Sequence, residues 1–259
     1  MRFTTLLAIL AMWLLWHQTV AAGEASVATG KRPVTVGAGA LYRDKPYKDY
    51  EDSDKWSPFP LVLYEGDRFF VRGGNLGWKF VNTRPWEVAV FAEFAKDGYE
   101  ESSSDVLDGM DDRDPWIAAG AHVKWQPRKF GIKLASAWDI VQESEGMQAT
   151  LDAFWQDRSG PWIYNVSGGA VYQSDDYVDY YYGVKSKEEI PGVRPAYSPD
   201  EEVNYRLQGA LLYQRPESKW LFALATRYTF LGDEIEDSPI VNDDGELMGL
   251  LAIGYTFGR

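Results

Sequence analysis

The chain carries two histidines, His17 and His122, and no cysteine. His17 sits in an apolar N-terminal run, so any scheme that turns on an imidazole has one candidate, His122. Thiolate chemistry, a disulfide framework and a lipid-modified N-terminal cysteine are all excluded. Carboxylates are plentiful, and Glu100-Glu101, Asp111-Asp112, Asp175-Asp176 and Asp243-Asp244 stand as adjacent pairs. Neighbours on a strand point to opposite faces, and a general acid needs a carboxyl whose pKa is raised by burial. Exposed acidic loops do not supply one. Gly73-Gly74-x-x-Gly77 lacks the helix that a phosphate-binding loop requires, and the sequon Asn165-Val166-Ser167 falls in mid-strand. No catalytic, cofactor or metal residue is assigned, and the expectation is a protein that is not an enzyme.

The elements that would position such residues have period two. In "SKWLFALATRYTF", residues 218 to 230, Trp220, Phe222, Leu224, Tyr228 and Phe230 share one parity with Thr226, while Lys219, Ala223, Arg227 and Thr229 share the other. This is strand alternation. It recurs in Trp86–Phe94, Ile117–Trp125, Phe130–Trp138, Met147–Trp155, Trp162–Tyr172 and Val203–Tyr213, each with a bulky face. The opposite parity carries Glu87, Glu93, His122, Lys124, Lys133, Asp152, Arg206 and Arg227. A water-soluble barrel would be built the other way round, apolar within and wet outside.

Aromatics stand at the ends of the apolar faces. Ten steps from Trp220 to Phe230, at about 3.4 Å each and a tilt near 45°, rise roughly 24 Å, the height of the girdled apolar band of a transmembrane β-barrel. The fold expected is therefore all-β, an antiparallel transmembrane barrel with strands at about 33–43, 58–66, 68–74, 76–82, 86–96, 114–125, 128–139, 145–156, 161–173, 202–214, 218–230 and 245–257. That is twelve; if Gly73-Gly74-Asn75 is a bulge and not a turn, ten is the alternative. Short turns alternate with long loops, as in outer-membrane barrels with periplasmic turns and outside loops. The closing stretch Gly249, Leu251, Ile253, Tyr255 and Phe257 alternates into a terminal aromatic, a pattern read by bacterial barrel-assembly machinery.

Arg2, the apolar run Leu6–Trp16 and Val20-Ala21-Ala22 have the parts of a secretory signal peptide, so residues 1–22 are expected to be a leader and 23–259 one barrel domain. The formal charge is −13, and loss of Arg2 deepens it by one. Such a chain repels nucleic acid. The acid gathers at Lys45–Lys55, Asp97–Asp114, Asp175–Glu201 and Asp233–Glu246, all placed in outside loops, where it is solvated or bridged by divalent cations to lipopolysaccharide phosphates.

The inward charges admit two readings. If they pair across the lumen it is closed, and if water satisfies them it conducts. His122 is expected in the lumen near the periplasmic end of its strand, whereas barrel hydrolases and proteases keep their Ser–His or carboxylate–His sites at the outer rim.

Several segments carry a family likeness: "GDRFF" at 66–70 followed by Leu76-Gly77, "DDYVDYYYGV" at 175–184, "PAY" at 195–197, "LGD" at 231–233 and "DSPIV" at 237–241. In this order and spacing they resemble the MltA-interacting protein family, also called MipA/OmpV. The resemblance implies a bacterial outer-membrane barrel, with one member scaffolding a lytic transglycosylase and a bifunctional penicillin-binding protein in peptidoglycan growth, and others resembling osmotic-response, adhesion or antigen proteins. It implies no catalytic residues. Motif residues Tyr177, Tyr182, Gly183, Ser238 and Pro239 fall in or beside outside loops, where loop packing is their expected role. The first functional expectation is a scaffold that offers its periplasmic turns, near 82–85, 126–129 with Arg128 and Lys129, 157–160 and 216–218, to cell-wall enzymes. The second is a narrow channel for small solutes or cations.

Overall fold

The computed structural model describes residues 32–51, 55–95 and 97–258; the leader expected at 1–22 lies outside them. Twelve antiparallel strands form one closed barrel in which each pairs with its sequence neighbours and β1 closes on β12. They are β1 (Val34–Asp44), β2 (Trp56–Glu65), β3 (Phe69–Arg72), β4 (Asn75–Thr83), β5 (Trp86–Ala95), β6 (Trp116–Trp125), β7 (Phe130–Asp139), β8 (Met147–Ser159), β9 (Trp162–Gln173), β10 (Glu202–Tyr213), β11 (Trp220–Phe230) and β12 (Gly245–Phe257). The closing register runs from Val34↔Phe257 to Asp44↔Leu247. Gly73-Gly74 is a turn, with Gly73 at φ 70° and β3 folding back on β4 through Arg72↔Asn75. This decides for twelve strands over ten.

The parity read from sequence is the parity of the wall. Leu224, Leu251 and Val166 are 49%, 57% and 57% exposed on the outer face, while Asp152, facing in, is 1% exposed. Membrane lipid takes the place of a second layer, which is why the apolar face is outside. Pro58 and Pro60 lie on the part of β2 beyond Leu63, where only β1 pairs with it; a residue without an N–H is tolerated at such an edge.

The lumen is narrowed by phenylalanine rings laid over glycines directly opposite them on the neighbouring strand. Phe59 covers Gly39, Phe70 covers Gly77, Phe91 covers Gly120 and Phe154 covers Gly131. A Cβ at Gly39 would stand 2.1 Å from the Phe59 ring and one at Gly131 2.3 Å from that of Phe154. These pairs combine a flexible, easily curved strand with a ring that restores its packing.

Two features differ from the sequence expectation. Lys219, assigned to the inward set, is exposed at the short-turn end, with Nζ 5.7 Å from the ring of outward-facing Tyr255; β11 begins only at Trp220, so strand parity does not reach it. The long loops, to which the sequence reading assigned no element, hold helix α1 (Asp175–Tyr182), a single-turn helix α2 (Asp233–Glu236) and 3-10 turns at Glu101–Ser103 and Asp105–Leu107. Among the described residues no helix is long and apolar enough to cross a membrane.

Candidate functional site

The interior is built in layers from side chains that alternate inward along neighbouring strands. Nearest the short turns, Arg72 bridges Glu65 at 3.0 Å and Glu87 at 3.1 Å. Lys79 pairs with Glu65, Lys124 approaches Glu87 at 3.8 Å, and His122 Nε2 lies 2.9 Å from Glu87 Oε1. The Arg72 guanidinium stacks 4.2 Å from the Phe70 ring centre. His122, 2% exposed, stands between the rings of Phe70 and Phe91. One or two buried charges here would be costly, and this many persist because each meets an opposite charge.

At mid-height Arg206 holds Asp152 through two bonds of 2.6 and 3.0 Å, and Asn75 Nδ2 donates to Glu93 at 3.3 Å. Above them Arg43 pairs with Asp97 at 3.0 Å and with Glu246 at 2.9 Å. Arg43, Arg206 and Arg227 line a small polar cavity of about 60 Å³, roofed by Tyr177 and Tyr182 of α1. It has room for a few waters at most.

Helix α1 closes the mouth. Ser174 caps it by accepting from Tyr177 N, and Asp175 and Asp176 occupy the first turn, where the helix dipole favours acid. Its apolar face points down the barrel: Tyr177 and Tyr181 pack into a buried cluster with Phe91, Ala118 and Trp116, the Trp116 ring meeting Tyr177 edge-on at 5.6 Å. The Tyr177 hydroxyl donates to Asp97 at 2.9 Å, so the helix is tied to the charge layer below it.

The remaining loops lock over α1. Tyr47, Leu107, Val178, Ile235 and Ile240 belong to a second buried cluster drawn from four loops, Ile235 and Ile240 both coming from the one between β11 and β12. Ser238 Oγ donates to Tyr182 O at 2.6 Å and Lys48 Nζ to Pro239 O at 2.7 Å. The Gly183 N–H donates to Asp179 O and ends the helix. The motif residues Tyr177, Tyr182, Gly183, Ser238 and Pro239 thus meet within this cap. Arg194, buried, donates to Val106 O, Asp108 O and Glu188 O, joining loops far apart in sequence. Arg113 and Glu188 pair at 3.0 Å with both side chains 1% exposed. Burial opposes ionisation of Glu188, yet the Asp111 N–H, the Arg113 guanidinium and the Lys185 N–H outweigh it and hold its carboxyl below the usual range.

The eight charged or titratable residues assigned to the lumen all face it. Glu87, His122 and Lys124 come together in the layer near the turns, Asp152 and Arg206 at mid-height, and Arg227 at the outer cavity, with Glu93 and Lys133 buried between. Glu65, Arg72 and Lys79, which do much of the pairing, were not singled out from sequence. Lys79 did carry a readable signal, since Leu76, Trp78 and Phe80 alternate outward around it and the register shift of β4 comes only after it, between Lys79 and Val81. The helix had a readable signal, Ser174-Asp175-Asp176 before a Tyr-rich run. Arg128 and Lys129 are exposed in the β6–β7 turn, Lys129 paired with Asp157 at 2.9 Å. Among the described residues no three His, Asp or Glu side chains gather to hold a metal ion, in the acidic loops or elsewhere.

The chain matches the family described as MltA-interacting protein MipA over residues 36–257. It is 28% identical to the MltA-interacting protein of Escherichia coli K12 over 238 residues, 91% of this chain and 94% of that one. It is 26% identical to the Escherichia coli K12 outer membrane protein YiaT, over 86% and 91% of the two chains, and to the outer membrane protein OmpV of Vibrio cholerae, over 75% and 76%. Among solved structures the NanC porin aligns with 85% of the chain at 10% identity and a TM-score of 0.43. Twelve closed strands with an apolar outer face and these relatives make one statement: the chain is an outer-membrane β-barrel and belongs to the MltA-interacting protein MipA family.

Proposed function

We propose that this protein is a non-enzymatic scaffold of the outer membrane, presenting its periplasmic turns to peptidoglycan-remodelling enzymes, a lytic transglycosylase and a penicillin-binding protein. The observation that carries this reading is the filled interior. A barrel whose lumen is occupied by layered ion pairs and roofed by α1 has its surfaces left for work, and the periplasmic end offers short turns rich in Arg and Lys. The relative named MltA-interacting protein supports the same choice of partner. The outer end, with its acidic loops, faces lipopolysaccharide.

Arg128 and Lys129 are the contact residues proposed in the β6–β7 turn. The test is affinity purification of the protein from cross-linked envelopes, with an unrelated barrel as control and mass spectrometry as readout. A transglycosylase or penicillin-binding protein is expected to be enriched with the wild type and lost from Arg128→Ala/Lys129→Ala, while the barrel still assembles. Enrichment that survives the double substitution removes these two residues from the interface, and no enrichment in the wild type removes the scaffold. The other reading, a narrow channel for small solutes or cations, requires α1 to leave the mouth.

A further inference from the structure

Cationic side chains from three hairpins surround one hollow at the periplasmic rim. Arg84 comes from the β4–β5 turn, Arg128 and Lys129 from the β6–β7 turn and Arg158 from the end of β8, around a volume of about 780 Å³. One carboxylate lines it, Asp157, and that one is held by Lys129 at 2.9 Å. Four positive charges against one negative leave the hollow strongly cationic on a protein whose total charge is −13.

The hollow follows from strand register. Pairing of β7 with β8 ends at Phe130↔Trp155, whereas β8 continues with β9 as far as Ser159↔Trp162. The β6–β7 turn therefore sits low beside a taller hairpin, and the rim is notched. The rings of Phe130 and Trp155 form part of the notch and are 50% and 42% exposed on the outer face. Below them that face continues through Ile132, Leu134 and Leu151, all exposed apolar side chains.

We propose that this notch binds an anionic phospholipid of the periplasmic leaflet, its phosphate among Arg84, Arg128 and Arg158 and its acyl chains along Phe130, Ile132 and Leu134. Aromatic residues at the end of a barrel's apolar band mark the level of the headgroups, so the cationic groups stand where lipid phosphates lie. Basic pockets at that level select anionic headgroups over zwitterionic ones, and Arg suits phosphate because its planar fork donates two parallel bonds. A soluble phosphate would use the guanidinium groups alone and leave both rings and the stripe beneath them without a role. The proposal does not rest on the scaffold reading. Because Arg128 and Lys129 serve both, Arg84 and Arg158 are the residues to change.

The experiment is native mass spectrometry of the purified full-length barrel in a neutral detergent. It is titrated with dioleoyl phosphatidylglycerol or with dioleoyl phosphatidylcholine, whose chains are identical. Phosphatidylglycerol is expected to bind at least about tenfold more tightly, equivalent to about 1.4 kcal/mol, and the preference should shrink as salt rises. Arg84→Ala/Arg158→Ala should reduce the preference to within about twofold. Arg215→Ala, in the β10–β11 turn outside the notch, should leave it intact, and retained heat-modifiable gel mobility confirms that each variant is folded. Equal retention of the two lipids by the wild type overturns the proposal, as does a preference undiminished in the double variant. Complete displacement of phosphatidylglycerol by millimolar inorganic phosphate overturns the assignment to lipid.

Discussion

Removing the Glu188 carboxylate should open the outer cap and leave the barrel standing. Glu188 Oε1 and Oε2 accept from Asp111 N and Lys185 N, each at 3.0 Å, besides pairing with Arg113. Glu188→Ala leaves the Arg113 guanidinium buried near the rings of Tyr99 and Tyr180, 5.7 and 5.5 Å away, without its counter-charge. Breaking one side of a buried pair costs about 3–5 kcal/mol. If the cap opens as a local unit, its open population rises roughly 10²- to 4 × 10³-fold. Hydrogen exchange reads this directly. The Arg113 amide bonded to Tyr99 O and the Val184 amide bonded to Tyr197 O should lose protection by that factor, while amides of β9 and β10 should not. Cap amides within about threefold of wild type, against the factor expected from the pair, would refute the reasoning. Equal losses in β9 and β10 would show that cap and barrel open together.

The same carboxylate gives the cap a pH dependence. Its pKa is held below the ordinary Glu value, so its contribution is present above about pH 4.3 and is lost as pH falls through the lower folded value. Protection of the cap amides, taken relative to intrinsic exchange at each pH, should therefore fall below about pH 4 in the wild type. Glu188→Gln, with nothing to titrate at this site, should show a flatter profile.

Two other consequences concern the wall and the mouth. Leu251→Arg, at the middle of β12 and facing outward, should lower stability by about 2–4 kcal/mol in urea titrations of the vesicle-folded protein; an unchanged midpoint would mean that this face does not meet hydrocarbon. Pure wild-type protein in a planar bilayer should be electrically silent, and Tyr177→Ala/Tyr181→Ala, which removes the rings that seat α1 on Trp116 and Phe91, should give resolvable steps. Steady conductance of the wild type would favour the channel.

The wall was legible because each inward residue has an outward neighbour, and a period of two survives in sequence wherever the two faces meet different solvents. Trp220–Phe230 shows this without help from any distant segment. Legibility failed where the alternation did. Lys219 was assigned by a parity that stops one residue short of it, because β11 begins only at Trp220. The loops carried acid that masked their apolar anchors: Leu107 and Ile235, both fully buried, are surrounded in sequence by aspartate and glutamate.

Sequence alone determined the strand number to within one hairpin, the inverted polarity of the barrel and the family likeness, all of which rest on local spacing and side-chain type. Tertiary structure decided what the lumen contains. Whether Glu87 meets Arg72, Asp152 meets Arg206 or Tyr177 reaches Asp97 depends on barrel closure and stagger, which bring together residues 15, 54 and 80 positions apart. The sequence shows inward charges of both signs, but a buried charge is stabilised by the partner a few ångströms away, and only the closed barrel says which partner that is.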